Sequence, residues 1–331
     1  MANRSPVYSN ARVRVMENTF LNQEKFNRLV YSESVDEAMR VLQESNYGGG
    51  TIAENGDYEK ILRAEEDKVS AFMAESMPKG CGMESFLMKQ DYHNAKALTK
   101  AKYMRIENAD FMLAPEGTVE ISLLEECVKA DTYTRLPALM AKALSDIDLA
   151  RANGDKSPRT IDVTLDKACY SDVLRVAKAG KQKTVIRYWT ACVDFANITT
   201  FIRSRKEGEE LRNFRKAFIE GGEIPLSTYE AAYDGTDEAV AEKFRYTSYG
   251  KIVYEAFSGE AGAMVSFERA QDNYLLDIFK RDRTDIFSIS PLAGFYVAKK
   301  QEIKVVRMIL ICVKNHVDTT QIKARLRDYY A

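Results

Sequence analysis

The stretch DYHNAKALTKAKY, residues 91–103, decides the fold because its pattern returns twice along the chain. DFANITTFIRSR at 194–205 and EIKVVRMILICV at 302–313 carry the same spacing. In each stretch an acidic residue comes three positions before a second landmark, and a large apolar residue comes four positions after it. A self-similar period predicts a repeat architecture. The paired landmarks are Asp91 with Asn94, Asp194 with Asn197, and Glu302 with Val305.

Later landmarks keep their order and nearly their spacing in two of the copies. A glycine comes 23 or 25 residues after each asparagine, and an aspartate comes 49 or 50 residues after that glycine: Gly117 and Asp166, then Gly222 and Asp272. A weaker copy begins at Asn10. We therefore predict three pseudo-repeated modules at 1–108, 109–212 and 213–331, joined in one continuous body.

The local pattern predicts helix nearly throughout. Only seven prolines occur, and Ser290-Pro291 is typical of a helix start, with the serine as cap. Between Pro291 and Lys314, Gly294 is the one residue that disfavours helix, and apolar residues recur at helical spacing. Residues 182–206 show the same periodicity, and no segment alternates at period two. The predicted fold class is all-α.

Composition excludes several classes of function. The formal net charge is −1, whereas nucleic-acid binders usually carry a strong basic excess. Five scattered cysteines are typical of reduced thiols in the cytoplasm. The longest uncharged stretch, 286–298, has thirteen residues, short of the ~20 that span a membrane. Since the N-terminal segment has no apolar run, we expect no signal peptide.

The sequence offers no recognisable catalytic or cofactor motif. Its two histidines, His93 and His316, belong to no metal-ligand spacing, and no phosphate-binding loop occurs. We expect no cofactor, no bound metal and no catalytic site. An all-helical metal-dependent lyase or transferase stays a minor alternative, which a pocket lined by several acids would favour.

The repeat landmarks are interpreted as structural. Acid and asparagine three residues apart share one helix face, so they can bond a neighbouring helix end or loop and fix the register between repeats. A catalytic carboxylate site is the alternative, but chemistry needs one site, and the last copy has lost its asparagine. The register positions are Asp91, Asn94, Asp194, Asn197, Glu302, Asp166 and Asp272.

Charge is unevenly distributed along the chain. Residues 299–331 hold eight Lys or Arg against three Asp or Glu. Arg203, Arg205 and Lys206 follow the apolar run 198–202, which places them at the end of a long helix. Cations suit a helix C-terminus. These three are also candidates for contact with an acidic partner surface.

The block at 290–315 resembles the closing helix of the V-type ATPase C-subunit family, whose eukaryotic members are called the d subunit. The resemblance rests on a proline-initiated helix with a tyrosine, a Lys/Glu-rich turn and an arginine: Pro291, Tyr296, Lys299, Lys300, Glu302 and Arg307. The opening helix is similar as well, at Tyr8, Ala11, Arg12 and Arg14. Val305 departs from the asparagine often found there in the family.

The resemblance implies a non-catalytic rotor subunit of a V-type ion-translocating ATPase, of the prokaryotic kind. It implies a funnel-shaped body of three modules that sits on the membrane proteolipid ring and receives the central shaft. The protein would be peripheral at the cytoplasmic face of the membrane. The main rival is a helical-repeat adaptor that binds another protein on a concave face. Only the rotor protein would co-purify with shaft and ring subunits.

Overall fold

The computed structural model describes residues 5–53, 56–106, 109–260, 262–328 and 330. Within these residues it contains sixteen α-helices and no strand, which confirms the all-α prediction. The first seven are α1 (Pro6–Met16), α2 (Gln23–Val30), α3 (Val35–Glu44), α4 (Tyr58–Ser76), α5 (Glu84–Met104), α6 (Ile121–Ala130) and α7 (Ala138–Ala152). The next five are α8 (Pro158–Ala179), α9 (Lys183–Lys206), α10 (Leu211–Ala217), α11 (Leu226–Ala232) and α12 (Asp237–Phe244). The last four are α13 (Gly250–Ala256), α14 (Ala263–Lys280), α15 (Ser290–Lys314) and α16 (Thr319–Ala324).

The helices form two compact units. Unit 1 consists of Met1–Lys79 and Asp237–Ala331, and unit 2 consists of Gly80–Thr236. Unit 1 therefore contains α1–α4 with α12–α16, and unit 2 contains α5–α11. The division into modules at 1–108, 109–212 and 213–331 stays a prediction.

In unit 2 the helix α8 packs against α5, α7 and α9. Ser157 caps α8 by accepting a hydrogen bond from the backbone N of Arg159, and Pro158 takes the first helical position. The indole of Trp189 is buried against Phe86, and its Nε1 donates to Ser85 Oγ at 2.7 Å. This pairing satisfies the polar end of a side chain that is otherwise core.

In unit 1 the long helix α15 is central and packs against α14, α4 and α1. Its apolar positions are buried, as the periodicity predicted: Phe295, Ala298, Ile303, Val306, Ile309, Leu310 and Val313. Gly294 is required here, because a β-carbon would lie 2.5 Å from Tyr330 Oη and 2.8 Å from Phe279 Cβ.

The prediction that Ser290 caps α15 is wrong. Ser290 is itself the first helical residue and is buried, while Ile289 occupies the cap position. No helix in the described ranges is both long and apolar enough to cross a membrane.

Candidate functional site

The first acid–asparagine pair lies on α5 and holds the loop that leads to α6. Asn94 Nδ2 donates to the carbonyl O of Ala114 at 2.9 Å, and the backbone N of Ala114 donates to Asn94 Oδ1 at 2.8 Å. Asn94 is buried. The amide side chain thus pairs with both the N–H and the C=O of one residue.

Asp91 holds the same loop four to five residues further on. Its carboxylate accepts from the backbone N of Thr118 at 2.8 Å, from Thr118 Oγ1 at 2.6 Å and from the backbone N of Val119 at 3.1 Å. Burial raises the pKa of Asp91, while these three donors act in the opposite direction. Gly117 lies so close that a β-carbon there would be 2.2 Å from Asp91 Oδ1.

The second pair, on α9, makes the same bonds to the loop before α11. Asn197 Nδ2 donates to the carbonyl O of Ile219 at 2.8 Å, and the backbone N of Ile219 donates to Asn197 Oδ1 at 2.9 Å. Asp194 accepts from the backbone N of Glu223 at 2.8 Å and of Ile224 at 3.0 Å. A β-carbon on Gly222 would lie 2.1 Å from Asp194 Oδ1. The two glycine landmarks of the sequence therefore share one physical cause.

The third acid, Glu302 on α15, holds a segment near the start of the chain. Its Oε2 accepts from the backbone N of Leu21 at 2.7 Å. Leu21 lies two residues before α2, just as Val119 precedes α6 and Ile224 precedes α11 by two residues. Val305 lies in the apolar core and offers no hydrogen bond in place of the lost asparagine.

Asn10 on α1 also holds a loop, the one before α15. Its Nδ2 donates to the carbonyls of Ile286 at 2.9 Å and Ser288 at 2.8 Å. These bonds fit the interpretation that acid and asparagine landmarks fix loops. Their role in setting register between repeats stays a prediction.

A charged cluster that the sequence pattern did not predict surrounds Lys299 on α15. Lys299 is 0% exposed, and its Nζ lies 2.8 Å from Glu65 Oε1 and 2.6 Å from Glu302 Oε1. The ammonium also donates to the carbonyl of Thr19 at 2.9 Å. It lies 5.0 Å from the ring centre of Tyr47.

The Lys299 ammonium faces two carboxylates in this buried cluster, and Lys68 Nζ lies 3.4 Å from the second oxygen of Glu65. Burial is the main cause that raises the pKa of Glu302, with Lys299 acting against it. Burial also raises the pKa of Tyr47 well above its usual value. A signal for the cluster was present in the sequence, since Lys299 and Glu302 lie three apart on the apolar face of α15.

The other two aspartates predicted as register positions, Asp166 and Asp272, form ion pairs at the surface of their units. Asp166 on α8 pairs with Lys96 on α5 at 2.7 Å. Asp272 on α14 pairs with Lys304 at 3.1 Å and with Arg327 at 3.0 Å. Both aspartates thus tie one long helix to another segment of the same unit.

The three candidate partner-binding cations lie in the last turn of α9, the end of a long helix as predicted. Arg203 and Lys206 are exposed and form no ion pair with any residue that the structure describes. Arg205 is engaged within the unit, because its guanidinium donates to the carbonyls of Ala232 at 3.0 Å and Gly235 at 2.8 Å. Arg205 therefore holds the end of α11, where backbone carbonyls need partners.

The described ranges hold no group of three or more His, Cys, Asp or Glu side chains that could bind a metal ion. His93 Nε2 lies 2.9 Å from the carbonyl O of Met112, as part of the same loop attachment. What the landmarks do chemically is to satisfy the backbone groups of loops. Together they define an all-helical protein with repeated loop attachments.

Comparison with known proteins agrees with this class. The model of the ATP synthase (C/AC39) subunit family matches residues 9–325. The chain belongs to this family.

Relatives align over nearly the whole chain. The C subunit of the V-type sodium ATPase of Enterococcus hirae is 23% identical over 322 residues, covering 97% of this chain and 98% of the relative. The C subunit of the A-type ATP synthase of Pyrococcus abyssi is 25% identical, covering 96% and 88%. That of Methanocaldococcus jannaschii is 24% identical, covering 92% and 81%.

Proposed function

We propose that this chain is a non-catalytic rotor subunit of a V/A-type ion-translocating ATPase and links the central shaft to the membrane proteolipid ring. The observation that carries the proposal is the family match over residues 9–325. Relatives named as the C subunit of a V-type sodium ATPase and of A-type ATP synthases match along most of their length. In this role the chain transmits rotation and performs no chemistry of its own.

The contacts of the landmarks support a mechanical role. A part that transmits torque must resist local deformation, and loops held by buried side chains resist it better than solvated loops do. Asp91 and Asp194 each bond two successive backbone N–H groups of a loop. The adaptor alternative has no observation in its favour beyond the helical fold.

The finer proposal concerns the shaft and the ring. Arg203 and Lys206 are exposed at the end of α9 and are free to meet an acidic surface. Arg205, the third of the predicted cations, is occupied by backbone carbonyls of α11 and the turn after it. We assign the shaft contact to this helix end. The complex would lie at the cytoplasmic face of the membrane, with the proteolipid ring as the second partner.

Co-purification tests the function. The tagged full-length chain is expressed in the organism that carries it, membranes are solubilised in mild detergent, and captured proteins are identified by mass spectrometry. Shaft subunits and the proteolipid should be recovered in fixed stoichiometry. Recovery of an unrelated partner without either of them would instead support the adaptor.

A further inference from the structure

A cleft in unit 2 combines an apolar floor with a cationic rim. It runs along α8 and is closed on its other side by the end of α10 and the segment 218–226, with a volume of about 630 Å³. The floor side chains are Leu174, Phe218 and Ile219. The rim carries four cations and one acid: Lys167, Arg175, Lys178, Arg215 and Glu220.

The cations of the rim are not all neutralised within the chain. Arg175 pairs with Asp172 at 2.6 Å, and Arg215 pairs with Glu230 at 2.5 Å. Lys167 and Lys178 have no carboxylate within ion-pairing distance in the described ranges. Burial lowers the pKa of Lys167, and the charge of Glu220 acts against that. The cleft therefore keeps an excess of positive charge beside apolar surface.

We propose that this cleft binds an acidic segment of a partner protein that also carries at least one large apolar side chain. Leu174, Phe218 and Ile219 each expose only 5–6% of their surface at the bottom of the cleft, and an inorganic anion would gain nothing from that apolar surface. Lys167 and Lys178 lie eleven residues apart on one helix, or about 16 Å at ~1.5 Å per residue. That span exceeds one phosphate headgroup but suits several acidic side chains along a peptide. Complementary charge would orient such a segment.

The inference rests on the proposed function in one respect: the partner is sought in the ATPase complex. The first experiment uses site-specific photo-crosslinking in the purified ATPase complex. Ser171 is exposed on the cleft wall, and Ser145 is exposed on α7 outside it. Each is replaced in turn, as Ser171→p-benzoylphenylalanine and Ser145→p-benzoylphenylalanine. We expect Ser171 alone to crosslink to a peptide that contains several Asp or Glu and a large apolar residue.

The second experiment measures the strength of the same contact. The double variant Lys167→Glu/Lys178→Glu is compared with Lys129→Glu/Lys142→Glu, which makes the same change in net charge at exposed lysines elsewhere in unit 2. Binding of the crosslinked partner protein to the full chain should weaken more than tenfold in the cleft variant. In the control variant it should stay within about twofold. Circular dichroism and urea unfolding verify that both variants fold.

Three results would overturn the proposal. Equal affinities of the two double variants for the partner would show that the cleft does not bind it. A crosslinked peptide without acidic residues would contradict the stated chemistry. Flotation of the full chain with vesicles containing phosphatidylserine, lost in the cleft variant and without any protein crosslink, would assign the cleft to lipid. Each of these three results can occur while the wild-type chain still co-purifies with the shaft subunits and the proteolipid. A failure of the cleft proposal is therefore distinguishable from a failure of the proposed rotor function.

Discussion

Gly222 leaves room for the carboxylate of Asp194, since a β-carbon at that position would come within 2.1 Å of Asp194 Oδ1. Gly117 stands in the same relation to Asp91 at 2.2 Å. Neither glycine has a positive φ, so space and not backbone conformation requires it. In the third copy Thr19 occupies the matching position, two residues before Leu21. There the longer side chain of Glu302 accepts from the backbone N of Leu21 at 2.7 Å.

We expect Gly222→Ala to destabilise unit 2 by about 2–4 kcal/mol, because the clash must displace a buried carboxylate from its backbone donors. Urea unfolding followed by circular dichroism measures the change. Gly208→Ala is the control: its β-carbon would meet nothing within 4 Å, so only the left-handed φ of 66° adds cost, about 1 kcal/mol. If Asp194→Ala/Gly222→Ala is as unstable as the two single changes added together, the close approach is not the cause.

Asn197→Ala should cost about 1–3 kcal/mol, since it leaves the N–H and C=O of buried Ile219 without their partner. Asn197→Asp should cost more, because a buried carboxylate cannot donate to the Ile219 carbonyl. Val305→Ala is the comparison, because the third repeat has Val305 in place of the asparagine. There the substitution removes apolar packing and no hydrogen bond. Hydrogen exchange of the 218–226 amides would locate the effect. Unchanged protection there in Asn197→Ala would contradict the assigned role.

Lys299→Met should destabilise unit 1 by about 3–5 kcal/mol, because it leaves buried Glu302 without a cation and leaves Glu65 with only the 3.4 Å contact to Lys68. The exposed Lys314 on the same helix gives a matched control, and Lys314→Met should change the free energy of unfolding by less than about 0.5 kcal/mol. Adding Glu302→Gln to Lys299→Met should recover part of the loss. A small effect of Lys299→Met alone would mean that water reaches the cluster.

The raised pKa of Glu302 predicts a pH dependence of stability. Folding favours the protonated carboxyl, so this contribution is complete below the unfolded pKa of about 4.3. It falls as pH rises through the higher folded pKa. Glu302→Gln removes the titration and keeps an oxygen acceptor for Leu21. The free energy of unfolding of the variant, relative to wild type, should therefore rise as the pH increases from about 4.3 toward neutrality. A difference that stays constant over this range would contradict the pKa direction.

The sequence predicted the long helices well because α9 and α15 have unbroken apolar periodicity, and it located Gly117 and Gly222 by spacing alone. It did not explain those glycines, because their cause is the approach of an aspartate 26 or 28 residues earlier in the chain. The hydrogen bonds of Arg205 could not be predicted either, since nothing in the neighbouring sequence indicates that the carbonyls of 232–235 lie beside the end of α9. The cleft along α8 requires α10 as its second wall, which periodicity in α8 cannot reveal.

The shaft contact is best tested by Arg203→Glu/Lys206→Glu, which leaves the intramolecular bonds of Arg205 intact. Both side chains are exposed, so the isolated chain should keep its stability within about 0.5 kcal/mol. A cation that merely suits the helix end contributes a few tenths of a kcal/mol, whereas losing a desolvated interfacial charge costs about 2–5 kcal/mol of binding. We therefore expect affinity for the purified shaft subunits to fall more than tenfold in calorimetry at low salt. The matched change Lys129→Glu/Lys142→Glu should leave that affinity within about twofold. Equal affinities of the two variants would show that these cations serve only the C-terminus of α9.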